Sequence, residues 1–184
     1  MLIIRRERPE DAAAVADVHV RTWQTAYAGL MPPEVLGRLN PAAWAQRRRD
    51  VGTADPDHPF VTLVAAEADA VLGFATVGPY RNNQDPDDLD GAHGELLSMY
   101  VDPLRWGEGV GRALMAAVLA ETSDRAWRQL RLWVLAGNTR GRRFFERAGL
   151  APDGESCVYD LPLGPRQPPL PLTELRYARP LGPT

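Results

Sequence analysis

Apolar residues change their spacing several times along the chain, and each change predicts an element. Residues 2–6 have the pattern of a short strand. Residues 8–27 repeat apolar side chains at helical spacing, with Pro9 and Asp11 suited to a helix start. Pro32 and Pro33 interrupt this helix, and residues 32–50 then predict one or two shorter helices.

The rest of the chain alternates between strand and helix patterns. Two strands joined by a polar turn cover residues 60–78, and residues 79–94 are predicted as a loop. Strands at 95–101 and 130–136 enclose a glycine-rich turn and an apolar helix. A further helix follows, with Asn138 as its N-cap and Gly149 just past its end. Two last strands flank a proline-rich loop at 161–172.

This order of elements predicts an α/β (α+β) fold. We expect a single mixed, mostly antiparallel central sheet of about six or seven strands, flanked by about four helices. The strand–helix–strand passage around residues 95–135 predicts that strands 95–101 and 130–136 are parallel. Neither a repeat nor a linker divides the sequence, so residues 1–184 are expected to form a single domain.

Composition removes several classes of function. The 184 residues carry a net charge of −3 and contain no lysine, which gives no general case for binding nucleic acid or an anionic membrane. The N-terminus lacks the pattern of a signal peptide, and no apolar run is long enough to span a bilayer. A single cysteine, Cys157, fits a reducing compartment. We therefore expect a cytoplasmic protein.

The glycine-rich turn is the main candidate for chemistry. Gly107, Gly109 and Gly111 follow a strand and open a helix, where free N–H groups and the helix dipole favour an anion such as a phosphate. The chain has no lysine for a P-loop, and its G-x-G-x-G spacing fits a dinucleotide fingerprint poorly. The alternative is a tight turn that binds no ligand.

Two longer segments, "LLSMYVDPLRWGEGVGRALM" and "LRLWVLAGNTRGRRFFERAGL", resemble the GNAT superfamily of acetyl-CoA-dependent N-acetyltransferases, bacterial type. The family's glycine motif, Q/R-x-x-G-x-G/A, falls on residues 106–111, with Trp106 in the place of Gln or Arg. The resemblance implies that strands 95–101 and 130–136 splay apart and that acetyl-CoA binds between them. It also allows a homodimer.

The resemblance further assigns residues to coenzyme A. Main chain at Met99, Tyr100 and Val101 would pair with the pantetheine arm, and Asn138 would bond it from the other side. Arg142 or Arg143 would reach the adenosine 3′-phosphate, unless both lie on a solvated helix face. The pyrophosphate would bind at Trp106, Gly107, Glu108, Gly109, Val110, Gly111 and Arg112.

Acetyl transfer to an amine needs a base, and it benefits from an acid that protonates the departing thiolate. Glu95 is the candidate base, acting through water, as a glutamate does in the histone acetyltransferase branch; the alternative is a solvent-exposed strand end. Phe145 stands where many family members have the tyrosine that acts as general acid. We expect Phe145 to pack against the pantetheine or the core. Tyr100, Tyr159 or water would remain as donors, so no acid is assigned.

The acceptor side gives weaker signals. Trp23 and Tyr27 lie one helical turn apart, which favours core packing but also fits an aromatic wall of the acceptor pocket. His19 and His93 lack metal-ligand spacing and are expected to be surface or hydrogen-bonded residues, so no metal is predicted. Four aspartates, Asp85, Asp87, Asp88 and Asp90, predict a solvated loop near the acceptor mouth that would favour a cationic amine.

These observations favour an N-acetyltransferase whose partner is a small-molecule or protein amine, with no nucleic acid or membrane. The amine would attack acetyl-CoA directly in a ternary complex. The alternative is a non-catalytic acyl-CoA-binding sensor or regulatory module with the same fold. This alternative stays open because Phe145 stands where the usual proton donor would be. The sequence gives Cys157 no nearby base, so we expect no nucleophilic role for it.

Overall fold

The structure, a computed structural model, describes residues 1–54 and 57–182. Within these ranges the chain forms one seven-stranded sheet and five α-helices. The strands are β1 (Leu2–Arg6), β2 (Val61–Glu67), β3 (Ala70–Arg81), β4 (Leu89–Val101), β5 (Gln129–Leu135), β6 (Ala151–Leu161) and β7 (Leu170–Pro180). The helices are α1 (Ala12–Ala26), α2 (Pro33–Gly37), α3 (Pro41–Ala54), α4 (Val110–Ser123) and α5 (Thr139–Arg147).

The sheet order is β1-β2-β3-β4-β5-β7-β6, and among the described pairings that of β4 with β5 alone is parallel. This pair is registered at Gly94 with Leu130 and at Glu95 with Arg131, and beyond those residues the strands separate. The predicted mixed sheet and its parallel, splayed pair are therefore confirmed. The helices number five in the described residues, rather than about four, because residues 32–50 form two helices.

Several predicted boundaries were wrong. The loop predicted at 79–94 is mostly strand, since β3 continues to Arg81 and β4 already begins at Leu89. Cross-strand pairs such as Arg81 with Leu89 satisfy the backbone of this polar stretch, so it needs no apolar side chains to be extended. The proline-rich loop spans 162–169, because Leu161 ends β6 and β7 begins at Leu170.

Helices cover both faces of the sheet. Leu63 and Ala65 of β2 pack with Leu114 and Val118 of α4. Val64, which lies between them on the strand, packs with Val15 and Val18 of α1. Neighbouring residues of a strand point to opposite faces, so α1 and α4 lie on opposite sides of the sheet. Among the described helices, none has the length and apolar character that a membrane crossing requires.

Candidate active site

A cleft of about 1040 Å³ opens where β4 and β5 separate. Its walls come from β4, β5, the glycine turn, the start of α5, and the second half of α1. The predicted site residues that line it are Trp23, Tyr27, Glu95, Met99, Tyr100, Val101, Trp106, Gly107, Gly109, Gly111, Arg112, Asn138 and Phe145. Residues scattered over more than 120 positions of sequence thus share one cleft, whereas Glu108 and Val110 do not line it.

The glycine turn has a backbone that side chains resist. Gly107 and Gly109 have φ values of +86° and +91°, in the left-handed region that favours glycine, and Gly109 caps the N-terminus of α4. Val110, the first residue of α4, is buried in the core. Glu108 points away from the cleft to an ion pair with Arg105 at 2.6 Å. The turn therefore presents backbone rather than side chains to the cleft at Gly107 and Gly109.

Trp106 has a structural role at the position where the motif expects Gln or Arg. Its Nε1 donates to the carbonyl oxygen of Val101 at 2.8 Å, and Thr22 Oγ1 donates to the same oxygen at 3.0 Å. Trp106 thus ties the glycine turn to the end of β4. Because a carbonyl oxygen has two lone pairs, these two donors leave the oxygen of Val101 no capacity for a ligand.

Arginines give the cleft a positive charge near the glycine turn. Arg140 stacks on Trp106, with its guanidinium carbon 4.0 Å from the ring centre. Arg112, Arg143 and Arg147 also line the cleft, and none of these four forms an ion pair within the described part of the chain. Arg142, by contrast, donates to Tyr177 and to the carbonyl of Ala136, at 2.9 and 3.0 Å, and does not line the cleft. Of the two arginines predicted for the 3′-phosphate, only Arg143 lines the cleft.

The start of α5 is built as the sequence predicts. Asn138 caps the helix, and its Oδ1 accepts a hydrogen bond from the backbone N–H of Gly141 at 3.0 Å. Its side chain also faces the cleft. Phe145 packs against the main core and lies edge-on to Phe144, with ring centres 5.4 Å apart, while part of it lines the cleft. Phe145 is therefore a packing residue with no proton to donate.

Glu95 lies in the middle of β4 and is 2% exposed, so its interpretation as a solvent-exposed strand end is wrong. Its carboxylate accepts three hydrogen bonds from Arg81: from the backbone N–H and Nε to Oε2, both at 3.0 Å, and from Nη2 to Oε1 at 2.8 Å. Oε2 is then saturated, while Oε1 keeps one lone pair for a water or a substrate. The sequence did not suggest Arg81, because 14 residues separate it from its partner.

A β-bulge lies two residues beyond Glu95. Thr76 pairs with Ser98, but the next residue of β3, Val77, pairs with Leu96, so Leu97 is an extra residue in β4. Leu97 is 39% exposed and lines the cleft. A bulge bends its strand and leaves the extra residue outside the regular ladder, so it directs main chain toward the cleft at the point where β4 leaves β5.

Comparison with known proteins adds the family. Residues 19–150 match the model of the acetyltransferase (GNAT) family, a stretch that includes the glycine turn and both separating strands. The chain belongs to the GNAT family. It is therefore an acyltransferase by class, and the cleft described above occupies the matched region.

Two relatives and one solved structure show how far this GNAT likeness extends. An uncharacterized N-acetyltransferase of Bacillus subtilis, YuaI, is 29% identical over 138 residues, which are 75% of this chain and 74% of that protein. The L-amino acid N-acyltransferase MnaT of Escherichia coli is 29% identical over 122 residues, 66% of this chain and 63% of that protein. The crystal structure of PaiA N-acetyltransferase from Thermoplasma acidophilum, in complex with coenzyme A, superposes with a TM-score of 0.69 at 16% identity, covering 98% of this chain and 99% of that one.

One wall of the cleft in this GNAT domain is aromatic. Trp23 and Tyr27 line it with their rings edge-on, 5.2 Å between centres, and both also pack against the small core around Met31 and Leu135. The expected core packing of this pair is therefore confirmed, and both rings are also exposed to the cleft. Tyr159 and Tyr100 also line the cleft, and burial raises the pKa values of Tyr27 and Tyr100.

Sequence reasoning missed Gln84, Trp133 and Glu174, which all line the cleft. The aspartate-rich loop was expected to face the acceptor, yet none of its four aspartates lines the cleft, and Gln84 does so instead. Gln84 Nε2 donates to Glu174 Oε2 at 3.1 Å across 90 residues of sequence. No local sequence pattern predicts such a pair.

The two histidines and the cysteine singled out from the sequence are held by packing or by contacts within the protein. His19 was expected to be a surface or hydrogen-bonded residue, but it is not exposed and its Nε2 has no hydrogen-bond partner among the described residues. Its ring centre lies 4.5 Å from that of Tyr100 and 4.2 Å from that of Trp44. Burial lowers its pKa to about 3. His93 Nδ1 lies 2.6 Å from Asp90. Burial raises the pKa of Cys157 to about 11, so its thiol is protonated near neutral pH. No cluster of metal-ligating side chains occurs among the described residues.

Proposed function

We propose that this protein transfers the acetyl group of acetyl-CoA to a primary amine of a small molecule or protein, by direct attack in a ternary complex. The observation that carries the proposal is the cleft between β4 and β5, which is lined by the glycine turn and arginines toward one end and by the carboxylate of Glu95 toward the other. The cosubstrate and the acceptor would enter from these two ends.

The residues of the cleft fit coenzyme A. The left-handed turn at Gly107 and Gly109 leads into the positive end of α4, which suits a pyrophosphate. The arginines without an ion pair suit the phosphates, and Arg143, which lines the cleft, would bind the 3′-phosphate. Since the Val101 carbonyl is occupied, main-chain pairing with the pantetheine arm would fall to Met99 and Tyr100, with Asn138 on the opposite wall.

The chemistry requires few groups of the protein. Acetyl-CoA supplies a thioester whose carbonyl carbon the amine nitrogen attacks, so that a C–N bond forms and the C–S bond breaks. We propose that Glu95 removes the proton of the amine through a water held at its free Oε1 lone pair. The bulged main chain at Leu97 would face the developing oxyanion. The thiolate is a tolerable leaving group, so solvent would protonate it where Phe145 cannot.

A thiol-release assay tests this function. Purified protein is incubated with acetyl-CoA and a panel of alkylamines, amino acids and peptides, and free thiol is followed with and without each amine. Turnover that depends on an amine, with the acetylated product identified by mass, supports the enzyme. Tight binding of coenzyme A without turnover across the panel would favour the sensor instead.

A further inference from the structure

Two carboxylates line the cleft, and one short segment contacts both of them. Arg81, at the end of β3, holds Glu95, and Gln84, three residues later, holds Glu174. Arg81 is a cation and neutralises Glu95, whereas Gln84 is uncharged and leaves Glu174 its full negative charge. Within residues 1–54 and 57–182, Glu174 forms no ion pair.

The backbone around Gln84 is strained. Gln84 has a φ value of +59°, a left-handed conformation that is unfavourable for residues other than glycine and asparagine, and its neighbour Asn83 has a φ of +52°. Strain of this kind persists where the surroundings hold it, and it often occurs at functional sites. Here it places the amide of Gln84 3.1 Å from Glu174 Oε2 and 3.0 Å from Cys157 Sγ.

The other oxygen of Glu174 is free. Cys157 Sγ donates to Oε2 at 3.6 Å, so Oε2 has two donors, while Oε1 accepts no hydrogen bond from any residue that the structure describes. The charge of Glu174 contributes to raising the pKa values of Tyr27 and Tyr100, which places the carboxylate in electrostatic reach of these phenols. A fixed anion with an open oxygen thus faces the aromatic end of the cleft.

We infer that Glu174 binds the ammonium group of the acceptor, and that the acceptor is an alkylamine with an apolar or aromatic body. The ammonium would lie against Oε1 of Glu174, and the body would pack on Trp23, Tyr27 and Tyr159. The inference rests on the proposed function and specifies its acceptor: a cationic amine with an apolar portion. Glu174 is assigned here to binding, and proton removal remains with Glu95.

A direct binding measurement tests this without turnover. The probes are 2-phenylethylamine, a cation at pH 7, and 2-phenylethanol, which is neutral and nearly the same shape. Wild-type protein is expected to bind the amine about tenfold or more tightly than the alcohol, as followed by tryptophan fluorescence or calorimetry. Glu174→Gln should bring the two dissociation constants within about threefold of each other.

Two further variants make the result specific. Glu155→Gln removes the same charge from an exposed position on the neighbouring strand β6, and it should keep the wild-type preference. Gln84→Arg keeps Glu174 but pairs it with a cation, and it should lose the preference as Glu174→Gln does. Equal binding of amine and alcohol by the wild type, or an unchanged preference in Glu174→Gln, would overturn the inference. The thiol-release panel separately decides the proposed function.

Discussion

Glu95 accepts a bidentate ion pair from Arg81, whereas Glu174 accepts hydrogen bonds from only an uncharged amide and a thiol. The two residue types are identical, and both side chains line one cleft. In the proposed mechanism their partners separate their tasks. Glu95, neutralised by Arg81, would take a proton through a water without trapping a cation, and Glu174, which has no cationic partner among the described residues, would attract the ammonium. At the scale of the residue, the two proposed roles therefore differ because the hydrogen-bond partners differ, since the side chains are the same.

For Glu95, the substitution Glu95→Gln keeps the shape but removes the proton acceptor. We expect kcat to fall by at least about tenfold, the acetyl-CoA affinity to stay nearly unchanged, and the pH optimum to move upward, since loss of a base matters most where the amine is protonated. The melting temperature should also fall, because Arg81 loses its partner. The measurement is a pH–rate profile beside the wild type, below the melting temperature.

Glu7→Gln is the matched control for Glu95→Gln. Glu7 accepts a similar bidentate pair from Arg48, at 2.9 and 2.6 Å, but outside the cleft. The substitution Glu7→Gln should lower the melting temperature and leave kcat unchanged. Wild-type kcat across the profile of Glu95→Gln would remove Glu95 from the mechanism.

His19 makes stability depend on pH. Its folded pKa of about 3 lies below the ordinary value of 6.5, because burial disfavours the charged ring. Between these values the unfolded chain binds the proton and the folded chain does not, so the free energy of unfolding should decrease as the pH falls through this window. The limiting slope is about 1.4 kcal/mol per pH unit for one group.

His19→Leu tests this contribution by denaturant unfolding at several pH values between 7 and 4. We expect a shallower pH dependence than in the wild type, whatever the change in absolute stability. His58→Gln, at an exposed histidine, should keep the wild-type slope. Identical slopes in His19→Leu and the wild type would show that the pKa of His19 is the same in the folded and unfolded states.

At the scale of the element, the glycine turn and the start of α4 are the proposed phosphate site. Gly109→Val should abolish acetyl-CoA binding, because β-branched residues resist a φ of +91° and a side chain would occupy the space of the phosphate. An added Cβ meets only Arg112 Nη2 at 3.4 Å, an ordinary contact, so the fold should survive. Calorimetry with acetyl-CoA and a circular dichroism spectrum measure the two effects.

The control for the glycine turn is Gly154→Val. Gly154 has a φ of +95°, and no atom lies within 4 Å of an added Cβ. The substitution therefore imposes a comparable backbone strain, but on a strand away from the cleft. It should bind acetyl-CoA like the wild type. Unchanged affinity in a folded Gly109→Val protein would count decisively against the assignment of the turn.

Elements with local signals were predicted well. The glycine turn, the helix that begins at Asn138 and the parallel strand pair follow from caps, glycine positions and strand–helix–strand order. The extent of β3 and β4 was missed, because their polar ends are held by pairing with each other rather than by an apolar pattern. The contacts of Arg81 with Glu95 and of Gln84 with Glu174 depend on the folded sheet, so the sequence placed Glu95 in the site but not its partner, and it missed Glu174 entirely.

At the scale of the whole molecule, the sheet is weakly joined at its centre. β4 and β5 share only two registered residue pairs, whereas β5 and β7 share seven. A ligand that occupies the gap would contact both halves of the sheet and would bind the folded state alone. Acetyl-CoA should therefore stabilise the protein as a whole and protect the open edge of β4 in particular.

We expect acetyl-CoA at about 100 times its dissociation constant to add about 2.7 kcal/mol to the free energy of unfolding, which raises the melting temperature by about 5–10 °C in a domain of this size. Hydrogen exchange should slow at residues 96–101 of β4, where no strand pairs on the β5 side, and stay unchanged in β2, which is already paired on both sides. Gly109→Val at the same concentration should show neither effect. A wild-type protein whose melting temperature rises without protection of residues 96–101 would bind acetyl-CoA somewhere other than this gap, because a pantetheine arm between β4 and β5 covers that main chain.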